Sequence, residues 1–461
     1  MASFARTAQT CKRQLRDSCD ALLSVLDEKR INGLAEELKF EWRDCFWRPA
    51  VVILTFLRQV LLPNCSCRAA VAYTRVDPAV LAASKRRPSG DPSAYSQARQ
   101  RLPLGLLERV STALTDQLHE PQRRWKGHRV RVADGSCVSA PDTPELQAVY
   151  PQSPSQKPGC GFPQIQMVGL FCWASGALLK LVYDARTVGE LQLFRRMLEL
   201  FEPGDLAVAD RLYGTYCELA LLSQRGAHGV FRLHNARRAD FREGRRLGRY
   251  DRLMTWKRPV KKPLGMSDEV WATIPEVLTV RLLRRIVCDR RGCRTRRIDL
   301  VTTLLDPETY SVGELAELYR ERWRVELSLR SLKCTQQLDC LRCESPQMVH
   351  KELAMHQIAY NLIRLLMRAA AVVHGVDAHR LSFAGTCQRL DAVLAQLRSS
   401  RGRKGLKAMV ELLLQDIAAD RLPLRLGRKE PRAVKRRNKE YPYLTRPRAE
   451  ARSMRCYDGD A

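Results

Sequence analysis

No run of this chain is long and apolar enough to cross a bilayer. Pro49 to Phe56 is short and Arg58 closes it, and Asn361 to Val373 is interrupted by Arg364 and Arg368. Met1 to Gln14 carries no apolar segment of the kind a secretory signal needs. The 16 cysteines are therefore read as reduced thiols in a cytoplasmic compartment. No internal repeat is visible. Structural zinc also finds little support. Cys340-x-x-Cys343 is followed by His350 and His356, but the intervening loop is too short for a finger and histidines six apart leave a helix on different sides. Cys65 and Cys67 have no partner pair nearby, and Cys288 and Cys293 flank a hairpin-like Asp289-Arg290-Arg291-Gly292.

Acidic residues are scarce relative to basic ones. Fifty Asp and Glu stand against 79 Lys and Arg, a formal charge of +29. Enzymes of small metabolites have little need of that excess. A polyanion explains it, because every phosphate neutralised releases counterions. A membrane surface is the poorer partner, since it is usually met by one basic amphipathic segment and here the basic residues run along the whole chain. With 45% apolar residues over 461 positions, the chain is able to fold into two or three domains.

Residues 1–120 read as mostly helical. Ser93 to Leu102 is expected as a helix entered after Asp91-Pro92 with a Ser cap; its Gln and Arg side chains suit DNA contact or a solvated face equally well. From residue 121 the texture turns strand-like. Arg129 to Ala133 leads into Asp134-Gly135-Ser136. Ile165 to Trp173 and Leu178 to Asp184 form a hairpin across Ala174 to Ala177. Thr187 to Phe201 has a helical period, Leu206 to Ala209 is a short buried strand ending at Asp210, Cys217 to Gln224 is helical, and Gly229 to Leu233 is a further strand. That order predicts an α/β fold with mixed strand directions over 121–235. Residues 236–297 are Arg- and Gly-rich with strand-like runs and read as a β-rich insertion. The second part of the sheet domain follows at 298–375, with Met348 to Val373 as a long core helix. Residues 376–461 form a basic C-terminal region; Lys435-Arg436-Arg437 belongs to an arm that contacts DNA or lies solvated.

Tyr319, Arg322, Glu326 and Lys333 fall at i, i+3, i+7 and i+14, one face of a helix read from Tyr310 to Lys333. Leu318, Val325, Leu329 and Leu332 supply the apolar stripe beside it. Alone, this is also the pattern of any charged amphipathic helix. Asp134 and Asp210 alter the weighing, because each ends an apolar β-run, in the crevice where α/β sheets place their sites. Two strand carboxylates and Glu326 from a helix packed on the sheet can hold two divalent ions.

These motifs resemble those of bacterial DDE transposases of the insertion-sequence-four family. That family pairs an Asp on the first strand and an Asp after the fourth with a helix patterned Tyr-x2-Arg-x3-Glu-x6-Lys, here Tyr319, Arg322, Glu326 and Lys333. The resemblance spans about residues 90 to 370, with the basic tail also alike. It implies an RNase H-like mixed sheet with flanking helices, a β-rich insertion, and helical N- and C-terminal regions. It further implies metal-dependent cleavage at transposon ends and strand transfer into target DNA. In that reading Asp134, Asp210 and Glu326 are catalytic and bind two Mg²⁺ (or Mn²⁺), and Tyr319, Arg322 and Lys333 grip DNA phosphates. Trp256, or failing it Trp271, stacks on a flipped base; a core Trp fits the same pattern. The partners implied are double-stranded DNA, at the terminal inverted repeats and the target, and a second copy of the chain, in the bacterial nucleoid. The alternatives left open are an RNase H-like nuclease without strand transfer and a catalytically silent DNA-binding descendant.

Overall fold

Short runs of Val, Leu, Ile and Ala between glycine turns build the centre of the molecule, known from a computed structural model, as one nine-stranded sheet. The structure describes residues 27–42, 45–62, 65–77, 80, 88–118, 124–286, 297–399, 403–423 and 443–453. The Cys288–Cys293 turn and the Lys435–Arg437 run lie outside these residues.

Among the described residues, five helices precede the sheet: α1 (Glu28–Glu37), α2 (Pro49–Leu61), α3 (Cys67–Arg75), α4 (Ser93–Arg101) and α5 (Leu104–Leu118). Helix α4 differs from expectation at its start. Pro92 is the cap residue, and Asp91 Oδ1 rather than a Ser accepts the Ser93 amide at 3.0 Å. Its Arg99 is also turned inward, donating to Gln59 Oε1 at 3.0 Å, so it is occupied within the protein; Gln97, Gln100 and Arg101 stay exposed.

Strands β1 (Val130–Ser139), β2 (Gln164–Cys172) and β3 (Leu178–Ala185) form an antiparallel meander, with the short helix α6 (Pro144–Val149) between the first two. The tight turn from β2 to β3 places Gly176 at φ +71, a conformation that favours glycine. Helix α7 (Glu190–Arg195) follows, then β4 (Leu206–Ala209), α8 (Tyr216–Gln224) and β5 (His228–Arg232). Both β4 and β5 run parallel to β1, giving the order β3-β2-β1-β4-β5. This is the mixed sheet expected of an RNase H-like domain. The helix read over Thr187 to Phe201 is shorter than its period suggests: α7 stops at Arg195 and a 3₁₀ turn at Leu198–Leu200 replaces its second half.

The chain between β5 and the marked helix does not form a separate lobe of strands. It adds β6 (Arg245–Gly248), β7 (Asp251–Lys257), β8 (Val277–Ile286) and β9 (Arg297–Thr302) to the same sheet in the order β5-β9-β8-β7-β6, all antiparallel, with helix α9 (Asp268–Thr273) between β7 and β8. A fully buried ion pair fastens this extension. Arg281 on β8 donates to both Asp251 oxygens, at 2.8 and 2.6 Å, and to the Asp306 and Tyr310 carbonyls.

Helices α10 (Val312–Glu321) and α11 (Trp323–Arg330) come next, then the 29-residue α12 (Pro346–His374), α13 (Phe383–Ser399), α14 (Arg403–Ala419) and α15 (Arg448–Ser453). Proline at the first position of α12 and left-handed Gly375 just past its end mark its bounds. Helix α12 is buried on most of its surface, against α2, α5 and α14. Asn361 brackets Leu178 of β3, accepting from its N–H and donating to its carbonyl, both at 2.9 Å. One core cluster runs from Ile31 through α12 to Ile417, so the terminal helices pack with the inner face of the sheet.

Candidate active site

Parallel pairing of β1 with β4 sets the site. Val130 faces Leu206, Arg131 faces Ala207 and Val132 faces Val208. Two residues beyond that pairing, Asp134 continues β1 and Asp210 follows the end of β4. Their charges interact. Asp134 is not at a strand end, as the Asp-Gly-Ser spelling suggests; β1 continues through it to Ser139, paired with β2 throughout. Asp210 does stand just past the end of β4, where its Oδ1 accepts the Leu212 amide at 2.7 Å.

Helix α10 is opened by a capping box between Ser311 and Glu314. The helix expected to be continuous to Lys333 is broken twice. At Arg322 the hydrogen bonding tightens to i→i−3, since Arg322 N–H reaches the Tyr319 carbonyl at 3.1 Å and Val325 N–H the Arg322 carbonyl at 2.9 Å. At Ser331–Thr335 it widens to a π turn. The breaks let α10 lie against β5 and β8 while α11 lies against β1. Leu318, Val325, Leu329 and Leu332 are buried as the apolar stripe requires. Arg364 of α12 braces α11 by donating to Ser328 Oγ at 2.9 Å, two residues beyond Glu326.

Glu326 thus stands over β1. The Arg322 guanidinium joins the acids: one nitrogen lies 3.7 Å from Asp134 Oδ2 and another bonds Glu326 Oε1 at close range. Tyr319 packs beside it, 5.8 Å from guanidinium to ring centroid, and is almost wholly buried. Lys333, carried to the strand by the π turn, donates to the Cys137 carbonyl at 2.9 Å, three residues along β1 from Asp134. So Asp134, Asp210, Glu326, Tyr319, Arg322 and Lys333 gather at one place. Burial, followed by the Asp210 and Glu326 charges and against the pull of Arg322, raises the Asp134 carboxyl to about 6.

Trp256 does not join them. It sits on β7, five strands from β1 in the sheet, and is 7% exposed in a core cluster, with the Arg237 guanidinium 3.9 Å from its ring centroid. It is a core tryptophan with no face free for a base. Trp271 on α9 is partly buried under Arg258, 5.1 Å from its ring. The large exposed ring beside the site is Trp323, at 57%. It lies inside the recognised motif, and its charged neighbours in sequence concealed it.

Glu190 also went unnoticed in the sequence, where it is one acid in an ordinary helical period. Its carboxylate lies over Gly135, accepts from Gln166 Nε2 at 3.1 Å and from the Tyr213 hydroxyl at 3.4 Å, and feels the Asp210 charge. Burial, then Asp210, raises its pKa.

As the side chains stand, no group of three His, Cys, Asp or Glu among the described residues is disposed to hold an ion. The donor types nevertheless suit a hard divalent cation, since Asp134, Asp210 and Glu326 all offer carboxylate oxygens, and Arg322 supplies positive charge to Asp134 and Glu326.

Residues 125–362 match the family model of the transposase DDE domain. Transposase InsG for insertion sequence element IS4, from Escherichia coli (strain K12), is 31% identical over 369 residues, covering 77% of this chain and 79% of that protein. A piggyBac transposase solved as a synaptic complex with hairpin DNA aligns over 85% of this chain and 84% of its own at TM-score 0.42 and 8% identity, too slight a likeness to weigh. On the family match and the InsG relationship, the chain belongs to the DDE transposases of the IS4 family.

Proposed function

We propose that the protein cleaves DNA at transposon ends and joins the freed 3′ end to target DNA, by phosphoryl transfer at Asp134, Asp210 and Glu326. The observation that carries this reading is the parallel β1–β4 register, which brings two aspartates side by side beneath a third acid on α11. When bound, two Mg²⁺ or Mn²⁺ ions supply Lewis acidity at the attacking and leaving oxygens. Asp134 from β1, Asp210 from just beyond β4 and Glu326 from α11 would hold those ions. Arg322, tied to Asp134 and Glu326 in the free protein, turns to the phosphate of bound DNA and so gives up its carboxylates to metal. Lys333 places a second cation next to β1. Tyr319 backs the Arg322 guanidinium.

The substrate is double-stranded DNA, and joining two ends calls for a homodimer assembled on it. The +29 charge supports a polyphosphate partner. So does a cavity of about 540 Å³ beside the central β5–β9 pair, lined by Arg232, Arg237, Arg238, Arg284 and Arg297 with Asp299 as its acid. We place the work in the bacterial cytoplasm, on nucleoid DNA; among the described residues no helix is long and apolar enough to cross a membrane.

A strand-transfer assay with a pre-nicked transposon end tests the reading. Joining of the 3′-hydroxyl to target DNA is expected in Mg²⁺. Hydrolysis alone, with water the only nucleophile ever used, would make the protein a nuclease and overturn the transposase mechanism.

A further inference from the structure

The glycine of Asp134-Gly135-Ser136 is not a turn glycine, because it lies within β1 and has no left-handed backbone. Its missing side chain has another use. A Cβ there would sit 2.2 Å from Glu190 Oε2 and 2.3 Å from its carboxyl carbon, so the Glu190 carboxylate rests directly on the strand next to Asp134. Three devices hold it there. Gly189 begins α7, its amide bonded to Gln192 Oε1 at 3.0 Å, which directs the first helical residue at the sheet. Gln166 on β2 donates to Oε1 from one side. Tyr213, fully buried and three residues beyond Asp210, donates to Oε2. No basic side chain pairs with Glu190 among the described residues, although Asp210 lies within range of its charge. A half-buried carboxylate held by neutral donors beside another carboxylate is costly unless a cation completes the site.

We propose that Glu190 is a fourth acidic residue of the catalytic site, seated on Gly135 and serving the metal ion bound between Asp134 and Asp210. It extends the site on the α7 side of the sheet, whereas Glu326 closes it from α11. Gln166 and Tyr213 are its positioning residues, and Gly135 is required because any larger residue would displace it. This role rests on the proposed metal site, so its test must separate the two.

The full-length protein is titrated with Mn²⁺. Bound ion is read by electron paramagnetic resonance, and the Mn²⁺ concentration that half-saturates DNA nicking is read alongside it. Glu190→Gln keeps the size of the side chain and should unfold without metal at or above the wild-type temperature, since it removes a charge whose burial is unfavourable. It is expected to weaken Mn²⁺ binding and raise the half-saturating concentration by at least about tenfold, the loss usual when a supporting group is removed from a metal site. Glu190→Ala should do the same if the Gln variant mispacks. Asp134→Asn serves as the reference. If Asp134→Asn loses Mn²⁺ while both Glu190 variants bind and nick like wild type, the site stands and the role of Glu190 is refuted. If Asp134→Asn also binds Mn²⁺ normally, the metal site itself has been misplaced. Impaired nicking by the Glu190 variants with unchanged Mn²⁺ affinity would overturn the assignment to the metal.

Discussion

Asp134 is where the conflict between folding and function is sharpest. Its carboxyl is raised to about 6 by burial and by the neighbouring acids, from an ordinary value of 3.8. The native state therefore favours the neutral acid. The stability this gives is fully present below about pH 4 and is lost as pH rises through about 6, a change of at most about 3 kcal/mol. Asp134→Asn imitates the neutral form. In metal-free buffer it should raise the thermal midpoint near pH 7.5 and give no advantage near pH 4, as followed by circular dichroism; a variant less stable than wild type at neutral pH would contradict the electrostatic picture. Single residues were unevenly legible in the sequence. Asp134, Asp210, Glu326 and Lys333 could be picked out because their spacing carries a family motif. Glu190 could not, because its meaning comes from Gly135, which is 55 positions away and touches it only in the folded sheet. For Trp256 the sequence left base stacking and a place in the core both open, and the fold favours the core. A tryptophan among arginines suits base stacking by composition, but here Arg237 covers a ring that the core has already taken.

At the scale of elements, periodicity identified the β2–β3 hairpin, β4, β5 and α12 closely, because their apolar patterns answer to burial alone. It overran where tertiary packing decides. One straight helix from Tyr310 to Lys333 cannot lie on β5, β8 and β1 together, so the chain bends at Arg322 and widens at Ser331–Thr335. No local propensity marks either break. The extension of the sheet by β6 to β9 depends on Arg281, whose charge is wholly buried and answered by Asp251 and two carbonyls at the approach to α10. Asp251→Ala leaves that charge unpaired and should cost about 3–5 kcal/mol in denaturant unfolding. A loss under about 1 kcal/mol would mean that the pair does not hold the extension to the Glu326 helices.

For the whole molecule, the excess of basic residues reads directly as affinity for a polyanion. Binding to any duplex DNA should weaken a thousandfold or more between about 50 and 200 mM salt, as expected for six to ten phosphate contacts; a flat response in fluorescence anisotropy would remove the electrostatic argument. Helices from both ends of the chain share one core with the sheet, so the acids are mounted on a frame that ties α11 to α12 and β1 to β4. On the function proposed above, this frame holds Asp134, Asp210 and Glu326 as one metal-dependent cutting site. That proposal is tested most directly by nicking of DNA taken from either side of the protein's own coding sequence, in Mg²⁺, comparing wild type with Asp134→Asn and Glu326→Gln at equal DNA occupancy. Cleavage by the wild type and none by either variant is expected, with binding and cooperative unfolding retained. Cleavage by either variant at the wild-type rate would contradict it.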